Sequence, residues 1–272
     1  MVAEGLATLN GFTAGQTWRV GQNDCVTIRL VDPPDKLLDA DSGDVPTLYE
    51  DPWIMVIDKP VGMIAHPVAG YQTDTLSNFL QAYFDELAIA RGIMRPGIVH
   101  RLDRMTSGLM VLAKDVHSHR LLARQFESGG QRKIYQAIVD GQPDFESETL
   151  NQPIGMRPGG RGVVMTCDDS ALKPRKAQTD ATVLKRYADC ALVECRIHTG
   201  RNHQIRIHLA SRGYPVRGDA IYTAGGSPLP RTATPTADRH ALHASELGFV
   251  HPIWKKELTF RSVPGCDFWD ML

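Results

Sequence analysis

The stretch Val99-His100-Arg101-Leu102-Asp103-Arg104-Met105-Thr106-Ser107-Gly108-Leu109 sets one carboxylate between two guanidinium groups, just before a small, turn-forming Thr-Ser-Gly. Flanking arginines favour the ionised carboxylate and lower its pKa, and the residues that follow suit a loop presenting a side chain. An ionised Asp103 can act as nucleophile or base. The same string could also close a surface loop as a simple ion pair, because ion-pair networks perturb pKa values too. The rest of the chain separates the two readings. Leu109 to Ala113, apolar throughout, reads as a buried strand leaving this loop.

Other blocks surround it in a definite order. Upstream, Leu48-Tyr49-Glu50-Asp51-Pro52 leads through Ile57-Asp58-Lys59-Pro60-Val61-Gly62 to His66-Pro67. Downstream come Lys133-Ile134-Tyr135-Gln136-Ala137-Ile138-Val139-Asp140-Gly141, then Thr199-Gly200-Arg201-Asn202-His203-Gln204-Ile205-Arg206-Ile207-His208-Leu209-Ala210, followed by Gly213-Tyr214-Pro215 and Gly218-Asp219. Leu242-His243-Ala244 and Phe249-Val250-His251-Pro252 stand near the end. Together with His-Arg-Leu-Asp-x-x-Thr-Ser-Gly-Leu at 100–109, these blocks resemble the motifs of the RluA/RsuA family of RNA pseudouridine synthases, in its RluA-like subgroup. The resemblance runs from about Leu48 to about Phe260.

That resemblance implies an α+β catalytic fold: a central, largely antiparallel mixed sheet flanked by helices, with an RNA cleft across it. It implies an isomerase that converts uridine in structured ribosomal or transfer RNA to pseudouridine. The bond from ribose to a ring nitrogen breaks, the base turns, and ribose rejoins at a ring carbon. Nothing is oxidised or hydrolysed, so no metal and no organic cofactor are expected. Asp103 matches the family's catalytic Asp, which could add to the sugar, add to the base or remove a ribose proton. Arg206 matches the arginine that salt-bridges it, and Tyr135 the aromatic that stacks on the target uracil. Arg101 matches the residue that fills the gap left by the flipped base, and Ile205 is a candidate pocket wall. Met105 and Asn202 depart from the commoner residues at their positions without removing a catalytic group.

Charge supports an RNA partner once it is divided along the chain. The net charge is only -1 over 272 residues, but residues 91–220 hold 21 Lys and Arg against 13 Asp and Glu, and the remainder 9 against 18. Basic side chains thus concentrate around the motifs, as phosphate neutralisation requires. Residues 1–32 read as a small appendage of short strands, similar to the closing strands of a ribosomal-protein-like RNA-binding domain whose helical half is missing. Residues 33–46 read as a linker and 47–272 as the catalytic domain.

Within the domain, strands are expected at 53–57, 109–113, 135–139, 181–184 and 190–197. Helices are expected at 76–84, 117–126 and 204–212, and Thr223–Asp238 reads as a mobile loop. With no amino-terminal signal pattern and no apolar run of bilayer length, the expectation is a cytoplasmic monomer without a membrane partner. Five scattered cysteines do not form a disulfide framework. His198, His203 and His208, five apart, fit no metal pair, whereas His240 and His243 could share a helix face. Gly159-Gly160-Arg161-Gly162 lacks a phosphate-loop ending and reads as a hairpin tip.

Two other functions compete with this reading. One is a catalytically silent RNA-binding or RNA-chaperone protein on the same fold, against which Asp103, Tyr135 and Arg206 stand together. The other is a nucleoside hydrolase, which commonly recruits paired carboxylates or a metal, while the signature offers one acid.

Overall fold

The computed structural model describes residues 7–15, 17–28, 45–65, 75–87, 97–159, 164–228 and 237–272. His66-Pro67, most of the expected linker, Gly160-Arg161-Gly162 and part of the expected loop at 223–238 lie outside these residues.

The chain divides into two compact units, Met1–Leu37 and Leu38–Leu272. In the first, β1 (Ala7–Leu9), β2 (Phe12–Thr13) and β3 (Val26–Ile28) form an antiparallel sheet of order β2-β1-β3.

The second unit opens with β4 (Thr47–Glu50), β5 (Ile54–Lys59), α1 (Leu76–Leu87), β6 (Ser107–Ala113) and α2 (Val116–Ser128). Next come β7 (Arg132–Asp140), β8 (Ser147–Leu150), β9 (Ile154–Met156), β10 (Met165–Thr166) and β11 (Leu172–Arg175). β12 (Thr179–Arg186), β13 (Cys190–Ile197), α3 (Gln204–Ser211), β14 (Leu242–Val250), β15 (Glu257–Arg261) and α4 (Cys266–Trp269) complete it. Among the described residues the main sheet has nine strands in the order β4-β5-β6-β14-β7-β13-β12-β8, with β15 added beside β14. Its one parallel pair is β6 with β14; the others are antiparallel. A small sheet, β10-β9-β11, stands apart from it.

β6 is buried along its whole length because both sheet faces are covered. Successive side chains alternate between the faces. Leu109 and Val111 join Ile54, Val56 and Leu122 of α2, whereas Met110 and Leu112 join Met55, Ile57, Leu76 and Leu80 of α1. α2 starts where Asp115 accepts from the amides of His117 and Ser118 at 2.8 and 2.9 Å, and ends at Gly129 in the left-handed region.

Two expectations are corrected here. His240 and His243 do not share a helix: His243 lies in β14 and His240 just before it, and each bonds the signature loop. Residues 223–228 are a closed turn, with the Thr223 amide donating to the Ser227 carbonyl at 2.8 Å.

Candidate active site

The signature loop ends where β6 begins, and Gly108 sets its exit. Gly108 has φ +112°, and a Cβ there would meet the Ala244 carbonyl oxygen of β14 at 2.4 Å. Only glycine allows this parallel strand to approach so closely. Thr106 Oγ1 lies 2.8 Å from His240 Nε2, and Ser107 Oγ 2.9 Å from His243 Nδ1. Burial pushes the His240 pKa down to about 3, so its ring is neutral. On the other side, His100 Nε2 accepts from the Val111 amide at 3.1 Å and stacks on Phe126.

Lys59 clasps the loop from β5. It is fully buried and donates to the carbonyls of Pro60, Met63 and Arg104 at 2.7, 3.0 and 3.3 Å. Burial lowers its pKa to about 7, with Asp103 working in the opposite direction.

Asp103 is thereby presented at the floor of a cleft of about 640 Å3. Arg206 Nη1 of α3 donates to Asp103 Oδ2 at 2.9 Å, while Arg206 Nε and Nη2 take both oxygens of Asp219 at 2.7 and 2.8 Å. Asp219 is held in turn by the amides of Ile221 and Tyr222. The result is a buried carboxylate–guanidinium–carboxylate chain that leaves one Asp103 oxygen free of Arg206. Bidentate pairing to Asp219 fixes the guanidinium plane, and so fixes the direction from which Asp103 is approached. Burial alone would raise the Asp103 pKa, but His203, Arg206 and His240 outweigh it and hold the carboxyl below its usual range. Burial lowers the His203 pKa as well, so at neutral pH Arg206 is the permanent cation.

His203 completes the floor. It caps α3 with a left-handed φ of 53°, unusual outside glycine, and its Nε2 stands 3.9 Å from Asp103 Oδ2. Its Nδ1 lies 2.7 Å from the Tyr222 hydroxyl, which accepts from the Met165 amide. Burial raises the Tyr222 pKa to about 12, so the phenol keeps its proton. The Nε2 edge of the His203 ring is the one that faces Asp103.

The sequence-derived residues meet in this cleft. Arg101, Asp103, Tyr135, Ile205 and Arg206 all line it. Tyr135 is buried on β7, its pKa raised by burial and by Asp103. Ile205 is buried on α3, and Arg101 is exposed. Arg104 Nε donates to the Gly62 carbonyl at 3.1 Å, and the largest influences that lower the Asp103 pKa come from His203, Arg206 and His240. The guanidinium bonded to Asp103 comes from α3. Asp219, His203, Tyr222 and Lys59 carry contacts that sequence reasoning assigned to no role. Lys59, His203 and Asp219 did stand inside the quoted blocks, which was the available signal.

The sequence profile of the RNA pseudouridylate synthase family matches residues 53–211. The chain belongs to that family. It is 37% identical over 251 residues to an uncharacterised RNA pseudouridine synthase, YlyB, of Bacillus subtilis, covering 92% of this chain and 79% of that one. It is 34% identical over 247 residues to ribosomal large subunit pseudouridine synthase D of Zymomonas mobilis, covering 89% and 76%. Among solved structures, human RNA pseudouridylate synthase domain containing 4 superposes with a TM-score of 0.64 at 26% identity, over 82% of this chain and 90% of that chain. The α+β fold and the pseudouridine synthase activity expected from the motifs are those of this family, and such synthases are isomerases acting on RNA.

Proposed function

We propose that Asp103 is the catalytic group, and that the synthase acts on a uridine flipped out of structured RNA. The observation that carries this reading is the Asp103–Arg206–Asp219 chain: one carboxylate, kept ionised in a poorly solvated cleft floor, with an oxygen left for substrate. Addition to the sugar, addition to the base and removal of a ribose proton all begin from a charged, oriented carboxylate. Tyr135 offers its ring to the uracil. Arg101, exposed at the cleft, is placed to enter the space the base leaves, offsetting part of the few kcal/mol that flipping costs.

Ribosomal or transfer RNA is the proposed substrate class, with large-subunit ribosomal RNA first because several similar synthases bear that name. The same reading has the enzyme acting as a cytoplasmic monomer, which light scattering and cell fractionation test. Asp103→Asn keeps the side-chain shape and removes the charge. Purified Asp103→Asn should form no pseudouridine while folding and binding RNA; product at the wild-type rate would end the assignment. Comparing pseudouridines in RNA from cells with and without the protein identifies the target.

A further inference from the structure

Lys133 is a buried cation that the site described above does not use. It precedes Tyr135 by two positions on β7, so both side chains leave the same face of the strand and line the cleft. It is 8% exposed, yet among the described residues its ammonium has neither a hydrogen bond nor an ion pair. The other buried lysines are satisfied: Lys59 by three carbonyls and Lys114 by Glu50. An ammonium taken from water without a partner is expensive for the fold.

Its electrostatic neighbours are also cations. Burial and Arg201 push the Lys133 pKa down to about 8. Burial and Arg175 lower that of Arg201. All three line the same cleft, whose two acids, Asp103 and Glu127, are not paired with Lys133. The facing loop residue, Gly200, has no side chain, and a Cβ there would already stand 3.9 Å from Lys133 Nζ. Basic groups that share one cleft with no acid paired to Lys133, one of them largely withdrawn from water, form a site that gains when an anion enters.

We propose that Lys133, with Arg201 and Arg175, forms a phosphate subsite that takes a backbone phosphate beside the target uridine. The inference rests on the RNA reading of the cleft. It gives the buried ammonium a partner that only the substrate supplies, and it fixes the strand next to the base that stacks on Tyr135.

The test compares wild type, Lys133→Met and Lys133→Arg on one stem-loop RNA across a series of salt concentrations, with thermal unfolding of each free protein. Lys133→Met should bind about tenfold more weakly, and its plot of log affinity against log salt should flatten by about 0.7–0.9, the value of one lost phosphate contact. Its KM should rise by more than its kcat falls. Free of RNA, Lys133→Met should melt at a higher temperature than wild type, because an unpartnered buried charge has been removed. Lys133→Arg should keep the wild-type salt slope. Replacing single linkages by neutral methylphosphonates should reveal one position that weakens wild type and has no effect on Lys133→Met.

An unchanged salt slope, absence of any such position, or a lower melting temperature restored by Lys133→Arg would overturn the subsite. Wild-type protein that neither binds nor converts RNA would instead defeat the RNA reading itself, and the subsite with it.

Discussion

Removing Arg206 would take from Asp103 the guanidinium that bonds it, and from Asp219 both Arg206 bonds, leaving one Asp219 oxygen to the amides of Ile221 and Tyr222. Arg206→Ala should therefore raise the Asp103 pKa. With Asp103 as the proposed catalytic group, activity needs the carboxylate and fails as pH falls through that pKa, so the acid limb of the kcat profile should move to higher pH. Turnover should suffer more than RNA affinity, and an unshifted acid limb would deny Arg206 this role. Breaking a buried pair also destabilises by about 3–5 kcal/mol, so the profile must be taken on the folded fraction at low temperature. Arg101→Ala should behave differently. If this exposed side chain fills the vacated base position, its loss should slow a stem-loop substrate more than a short unpaired oligonucleotide; equal losses on both would exclude that role. At this scale the motifs singled out Asp103, Arg206 and Tyr135, and the fold brings all three to one cleft. The motifs pointed to Arg206 as the partner of Asp103, and the fold brings the two together from more than a hundred residues apart; Asp219, which fixes the Arg206 guanidinium, was given no role by the sequence.

Elements hold this site through a few positions that tolerate little change. At Gly108, any Cβ combines a left-handed φ with a 2.4 Å approach to the β14 backbone. Gly108→Ala should thus destabilise by about 3 kcal/mol or more, read by denaturant unfolding, with activity lost in step because the loop exits here. The β4–β5 turn depends similarly on Asp51, which accepts from the Trp53 and Ile54 amides, the Tyr49 hydroxyl and buried His251. Asp51→Ala should cost roughly 2 kcal/mol. Burial would raise the Asp51 pKa, but those donors lower it on balance, so their stabilisation is present above the normal carboxylate range and is lost as pH falls through the folded-state pKa. The stability gap between wild type and Asp51→Ala should accordingly narrow in acid; a gap independent of pH would contradict the assignment. The long apolar strands and the helices at 76–84 and 117–126 were legible from their periodicity. β14 was not, although its residues had been noted: its place between β6 and β7 is set by pairing with segments over a hundred residues away, to which local pattern is blind. The short strands β9 to β11 carry too few residues for any periodicity to show.

For the whole molecule, the isomerisation is redox-neutral, and His198, His203, His208 and His240 each bond a side chain of the chain through a ring nitrogen. Activity should survive exhaustive zinc chelation, magnesium being supplied for RNA folding. Loss on chelation with recovery by stoichiometric zinc would bring those histidines back as ligands. The concentration of basic residues in 91–220 was visible in the sequence, but only folding turns part of it into a surface: Arg101, Lys133, Arg175 and Arg201 converge on one cleft, while Arg212 and Arg217 turn to carboxylates elsewhere. What the sequence by itself determined is the family, hence the α+β fold and the chemistry, with Asp103 as the acid proposed for it, because spaced motifs and apolar periodicity are written locally along the chain. What only the tertiary structure decided is the setting of that acid: how Asp219 fixes the Arg206 guanidinium that pairs with it, which histidine faces it, and which lysine lines the same cleft without a partner among the described residues. Those properties depend on desolvation and on distances between residues far apart in sequence, and they exist only once the sheet has closed around the cleft.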